Sequence, residues 1–221
     1  MFLYNDCDYN IITGNTANNN TMYEGYFLQY CDYNTIYNNT ANGNGYGIYL
    51  YNSDNNTVSG NIVNNNTQYG IYLEECNYNT ISGNTANNNT INGISIDSSH
   101  YNLIAGNNVN DNLNNGIWLY GDEDMCDDNN ITDNILENND VGLYFEEVCR
   151  NNTVAKNILH NNALGIIFDH IGCDSNSLYE NFFLKNGKHA MMMELITTGI
   201  VRQLGITGII IQDQMRIMME L

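Results

Sequence analysis

Short runs of alternating apolar and polar residues recur along the chain at a nearly fixed interval. "TIY", "TVS", "TIS" and "TVA" each set one Ile or Val between polar neighbours, and "GIYLY", "GIYLE", "GISID" and "GIWLY" alternate over a longer stretch. Period two marks a half-buried strand, because successive strand side chains point to opposite faces. Each short run follows an Asn that recurs at Asn10, Asn34, Asn56, Asn79, Asn102, Asn129, Asn152 and Asn176, at spacings of 24, 22, 23, 23, 27, 23 and 24 residues. The unit reads N-x-I-x-x-N, a polar stretch, G-I-x-L and a turn. Leucine-rich repeats need several Leu at fixed offsets, which are missing. Helical repeats are disfavoured by β-branched and Asn-rich units with a Gly in nearly every copy. The pattern predicts an all-β fold: a right-handed, single-stranded parallel β-helix of about eight coils of about 23 residues, with three short strands and three turns per coil.

Stacking the units assigns columns. Ile12, Ile36, Val58, Ile81, Ile104, Ile131, Val154 and Leu178 form one inward apolar stack. Ile48, Ile71, Ile94, Ile117, Leu143 and Ile166 form a second, and Leu50, Leu73, Ile96, Leu119, Phe145 and Phe168 a third. Asn15, Asn39, Asn61, Asn84, Asn107, Asn134, Asn157 and Asn181 fall at one turn, where stacked amides can bond to each other and Asn can take a left-handed backbone. Gly25, Gly47, Gly70, Gly93, Gly116, Gly142 and Gly165 are expected at a bend that needs free φ.

Composition narrows the function classes. The chain holds 45 Asn and no Pro, carries a net charge of −19, and has no Lys or Arg before Arg150. Nucleic acid is excluded as a partner, since phosphate contacts need a basic face. No run of eighteen apolar residues is present, so no membrane span is expected, and Met1 leads into "FLYNDCDYN" without a signal-peptide pattern. The six Cys each stand three residues before a repeat Asn, and Ser53 and Ser99 fill the two remaining places. That makes one structural column of small residues. Neighbouring coils stack about 4.8 Å apart, so Cys126, Cys149 and Cys173 are also a candidate thiol ladder for a soft metal such as Cu+.

On the strand that reads G-I-x-L-x, the outward positions carry the candidate ligand surface. The first gives Phe27, Tyr49, Tyr72, Ser95, Trp118, Tyr144 and Ile167; the second gives Gln29, Tyr51, Glu74, Asp97, Tyr120, Glu146 and Asp169. Aromatic faces beside carboxylates suit sugar rings, whose CH groups stack and whose hydroxyls donate. The candidate saccharide-contact residues are therefore Tyr49, Tyr72, Trp118 and Tyr144 with Glu74, Asp97, Glu146 and Asp169. The same row also serves as a stabilising aromatic ladder. Carboxylates one coil apart approach the roughly 5 Å separation of retaining glycosidases, but any acidic column on this fold does so, and no residue is assigned as catalytic. The 27-residue coil carries an acidic insertion, "YGDEDMCDDN", with Asp122, Glu123, Asp124, Asp127 and Asp128 as possible Ca2+ ligands.

The words "NTVSGNIVNNNTQYGIYLEECNYNTISGN" and "NTISGNTANNNTINGISIDSSHYNLIAGN" resemble the NosD-type periplasmic copper-binding β-helix family, over about residues 1–190. The resemblance implies the fold, an extracytoplasmic location and kinship with carbohydrate-binding and sugar-hydrolase β-helices; it supplies no copper-ligand motif. Such repeats often close on a word like DDG-x-NNWD…IGNYWDDY. Here residues 191–221 begin "MMMEL" instead, and a shifted reading of plausible codons yields DDGI, NNWD and IGNYW. The expectation is a repeat domain over 1–190 that starts inside a coil, and a tail over 191–221 produced by a one-nucleotide frameshift. The expected function is a non-catalytic carbohydrate-binding or structural module of a longer surface protein, whose other repeats and a glycan are its partners. A carbohydrate-active enzyme fragment and a copper-delivery protein are the alternatives.

Overall fold

The computed structural model describes residues 1–192 together with the strand Ile210–Ile211. Most of the frameshift expectation, residues 193–209 and 212–221, lies outside the described residues.

Three parallel sheets run the length of the molecule. The first has nine strands, including Glu24–Gln29, Tyr46–Tyr51, Ile71–Glu74, Ile94–Asp97, Asn115–Gly121, Val141–Glu147 and Leu164–Phe168. The second has eight strands of three residues each, from Ile11–Thr13 to Ser177–Tyr179. The third begins as single bridges through Thr16, Thr40, Ile62 and Thr85 and widens into strands from Asn108–Asn110 onward. Every strand pairs with the copy one coil away, so the pairing is wholly between repeats, as a solenoid requires. The first sheet continues through Lys188–Met192, which pairs Ala190 with Ile166 and Met192 with Phe168. Regular coil geometry thus extends two residues past the expected boundary at 190.

All three predicted apolar stacks line the interior, with Ile36, Ile48, Leu50, Ile71, Leu73, Ile94 and Ile96 fully buried. A fourth inward column accompanies them: Ala41, Val63, Ala86, Val109, Leu136, Leu159 and Phe183. It lies under the third sheet. Its early members, Ala41, Val63 and Ala86, are small, and there the third sheet carries only single bridges.

Three Asn ladders hold the corners. The repeat Asn (Asn34, Asn56, Asn79) holds one, and the column of Asn39, Asn61 and Asn84 a second. A third, Asn44, Asn66, Asn89, Asn112, Asn139 and Asn162, lies five residues further on. Asn107 shows the wiring. Its Oδ1 accepts from the Asn84 backbone N–H at 2.9 Å and from Asn84 Nδ2 at 3.0 Å. Its Nδ2 donates to the Ile81 carbonyl at 2.9 Å and to Asn134 Oδ1 at 2.9 Å. These amides are buried, and the bends leave main-chain groups that would otherwise lack partners.

Two expectations about the turns are corrected. The ladder Asn do not take the left-handed backbone; the residue before each one does. Tyr33, Tyr78 and Tyr101 have φ of 56–58°, and Asn38, Gly60, Gly83, Gly106, Asp133 and Lys156 fill the same role before the second ladder. The repeated Gly column needs no free φ either, for none of Gly25, Gly47, Gly70, Gly93, Gly116, Gly142 and Gly165 has positive φ. Its reason is steric. A Cβ on Gly93 would stand 2.1 Å from Val109 Cγ1, 2.8 Å from Asn112 Nδ2 and 2.9 Å from the Gly116 carbonyl oxygen. Gly is required where the long strand passes over the third Asn ladder.

Candidate functional site

The first sheet presents its outward residues as the sequence pattern places them. Register pairs Phe27 with Tyr49, Tyr49 with Tyr72, Tyr72 with Ser95, Ser95 with Trp118, and Trp118 with Tyr144. The second row pairs Tyr51 with Glu74, Glu74 with Asp97, and Tyr120 with Glu146. All eight candidate residues, Tyr49, Tyr72, Trp118, Tyr144, Glu74, Asp97, Glu146 and Asp169, are half-buried.

The two rows are joined diagonally. The Tyr49 hydroxyl donates to Glu74. The Tyr72 hydroxyl donates to Asp97 Oδ2 at 2.9 Å, and Trp118 Nε1 to Glu146 Oε2 at 2.7 Å. Tyr144 donates to Asp169. Each aromatic group thus reaches the carboxylate of the following coil. These bonds hold the carboxylates in place, and burial shifts the ionisations. Desolvation pushes Asp97 and Glu146 above the usual carboxylate range, and pushes the Tyr49, Tyr72 and Tyr144 hydroxyls well up.

The row divides at Ser95, which is fully buried and accepts from Asn92 Nδ2 at 3.1 Å. On one side the rings stack on each other: Phe27 on Tyr49 with centroids 4.7 Å apart, and Tyr49 on Tyr72 at 4.9 Å. Tyr46 and Tyr69 join them, 5.3 Å from Tyr49 and 5.0 Å from Tyr72 respectively. Ring faces in this cluster are turned to one another, so the cluster offers a ligand chiefly ring edges and phenol groups. On the other side Trp118 stacks on Tyr120 within its own coil, at 5.2 Å. Sequence reasoning missed Tyr46 and Tyr69. Their signal was the "YG" pair that precedes two of the repeat glycines.

The Cys column faces inward. All six thiols are free, and Cys31, Cys76, Cys126 and Cys149 are fully buried. It acts as another ladder: Cys31 N–H donates to Ser53 Oγ at 3.0 Å and Cys76 N–H to Ser99 Oγ at 2.8 Å. Cys126 donates to the Ser99 carbonyl, Cys149 to those of Leu119 and Glu146, and Cys173 to that of Glu147. Hydrogen bonds with the neighbouring Cys126 and Cys173 thiols, and then burial, push the Cys149 thiol up. Among the described residues no group of three or more His, Cys, Asp or Glu is placed to hold a metal ion. In this arrangement Cys126, Cys149 and Cys173 are turned to main-chain carbonyls and to one another.

A family model described as periplasmic copper-binding protein (NosD) matches residues 2–125, more than half of the chain. The chain belongs to the NosD family. A second model, the right handed beta helix region, matches residues 69–183 and gives the winding of this NosD-family chain its hand. Among solved structures, a point variant of the periplasmic alginate epimerase AlgG aligns at 20% identity with a TM-score of 0.70, over 85% of this chain and 48% of that one. The A-module of the Azotobacter vinelandii mannuronan C-5 epimerase AlgE4 aligns at 16% identity with a TM-score of 0.71, over 92% and 57%. At these identities the shared property is the fold, and the chain spans about half the length of the structures it matches. No curated protein matches the chain at a significant level. No helix of the described residues is long and apolar enough to cross a membrane.

Proposed function

We propose that the chain is a non-catalytic, extracytoplasmic saccharide-binding module that lays a neutral or cationic glycan along the outward face of its first sheet. The observation that carries this reading is the diagonal set of four aromatic-to-carboxylate hydrogen bonds, from Tyr49 to Glu74, Tyr72 to Asp97, Trp118 to Glu146 and Tyr144 to Asp169. They orient amphipathic rings and acceptor oxygens in advance of any ligand, which lowers the ordering cost of binding. The face has four carboxylates and no Lys or Arg in its two outward rows. A polyuronate such as alginate would meet like charge at Glu74, Asp97, Glu146 and Asp169. The fold is shared with alginate epimerases, and the charge of this face argues for a different glycan. The NosD and AlgG descriptions both say periplasmic, which supports the location.

A second reading, a carbohydrate-active enzyme, draws on one observation. Asp97 and Glu146 are pushed up by burial, and each lies one coil from another carboxylate, Glu74 and Asp169 respectively. A glycan array followed by product analysis separates the two. The module binds neutral oligosaccharides, loses them in Trp118→Ala and Tyr72→Ala, and releases no product. Product formation that disappears in Asp97→Asn or Glu146→Gln supports the enzyme instead.

A further inference from the structure

Two departures from the repeat coincide beside one corner of the stack. The aromatic row loses its ring at Ser95. The corner after the long strands is left-handed along most of the stack, at Tyr30, Asn52, Glu75, Ser98 and Glu147, so Asn52, Glu75 and Ser98 stand there as regular members of the repeat. The following coil carries the insertion that lengthens it to 27 residues. Insertions in solenoids map to loops on one face, often the binding face. At this point a trough of about 280 Å³ opens, lined by Asn52, Glu75, Asn77, Ser98, His100 and Asp124.

His100 holds the wall of the trough in place. The Asp127 backbone N–H lies 3.2 Å from His100 Nδ1 and can only donate, so Nδ1 accepts. The proton then sits on Nε2, which donates to the Asp124 carbonyl at 3.0 Å. One imidazole thereby ties the inserted segment, at Asp124, to the residue just past it, Asp127. The trough also joins the outward face, for Ser98 Oγ donates to Asp97 Oδ1 at 3.0 Å. Its volume falls just under the roughly 300–1,000 Å³ of ordinary ligand sites, which suits one sugar ring and not a chain. Its lining offers amides, a hydroxyl, an imidazole and two carboxylates, with no Lys or Arg to pair an anion.

We infer that this trough is a branch subsite: it takes a single neutral side-chain sugar projecting from a polysaccharide that lies along the first sheet. The inference rests on the saccharide-binding reading of that sheet. Glu75 and Asp124 accept from the branch hydroxyls, Asn52 and Ser98 complete the contacts, and His100 is a positioning residue that sets the loop.

Calorimetry on the full chain tests it with paired probes: galactomannan, xyloglucan and arabinoxylan fragments, each against its debranched backbone. At least one branched fragment should bind tenfold or more tighter than its backbone. Glucuronic-acid-branched xylan should gain nothing over debranched xylan. Glu75→Gln, and deletion of Asp122–Met125 to restore a 23-residue coil, should each abolish the preference while backbone affinity stays unchanged. Glu75 is exposed, so its variant decides the matter even where the deletion does not fold. Backbone binding with no branch preference, or a preference that survives Glu75→Gln, overturns the subsite and leaves the face standing. Absence of binding by every probe overturns the face and the subsite together.

Discussion

The corners of this solenoid and the outward face of its first sheet are built from the same repeats, yet they vary in opposite ways. At the corners the same amide returns in coil after coil, at Asn61, Asn84, Asn107, Asn134 and Asn157, each buried and bonded above and below. On the face the equivalent positions read Tyr, Tyr, Ser, Trp and Tyr, with acidic and phenolic partners. Uniformity follows from stacking: a ladder works only when each rung presents the same group to the next. A surface that varies under the same constraint is free of that duty. The contrast teaches where to look for fold and where to look for ligand.

The comparison can be broken most forcefully at a rung. Asn107→Ala strands the Asn84 backbone N–H and the Ile81 carbonyl in the interior. At about 1–3 kcal/mol for each unsatisfied group, the loss is on the order of 4 kcal/mol, read as a lowered midpoint in chemical denaturation.

A smaller effect separates two kinds of glycine. Gly93→Ala drives a methyl into Val109 and the Asn112 amide and should cost about 1–3 kcal/mol. Gly83 has φ of 61° and open space around it, so Gly83→Ala should cost about 1 kcal/mol. Asn tells them apart: Gly83→Asn should be nearly neutral, and Gly93→Asn as damaging as Ala.

The ladders do not titrate, whereas the face does. Burial raises Asp97 and Glu146, so the folded state holds their protons more tightly than the unfolded chain does. Their contribution is most favourable below the ordinary carboxylate range and is lost as pH rises through the raised values. Thermal melts from acid to neutral pH should show that fall, and Asp97→Asn with Glu146→Gln should flatten it. On the face itself the stability change in Tyr72→Phe should be small. It removes one hydroxyl bond to Asp97 and should cost about 1 kcal/mol or less, with a larger relative loss in glycan binding.

Much of this was legible in the sequence. Strict column spacing exposed the three apolar stacks, the Cys column and the outward rows, because a 23-residue period leaves little freedom of register. The third Asn ladder was not legible. Asn66 and Asn89 sit at the end of "NNN" runs, where identical neighbours hide which one turns inward. The fourth apolar column escaped because Ala41 and Ala86 do not announce a core. The role of the repeat Gly was misread because a pattern cannot distinguish a backbone that needs free φ from one that needs space. The trough was spread over four coils, with only its insertion visible in the spacing.

The most direct test pairs stability with binding in two variants, by melting each and titrating it with a glycan found on the array. Trp118→Ala should keep its melting temperature within a few degrees of the parent and lose tenfold or more in affinity, while Asn107→Ala melts far earlier yet, where still folded, binds as the parent does. A Trp118→Ala protein that melts as early as Asn107→Ala and binds glycan undiminished would contradict the division between a structural corner and a ligand-bearing face.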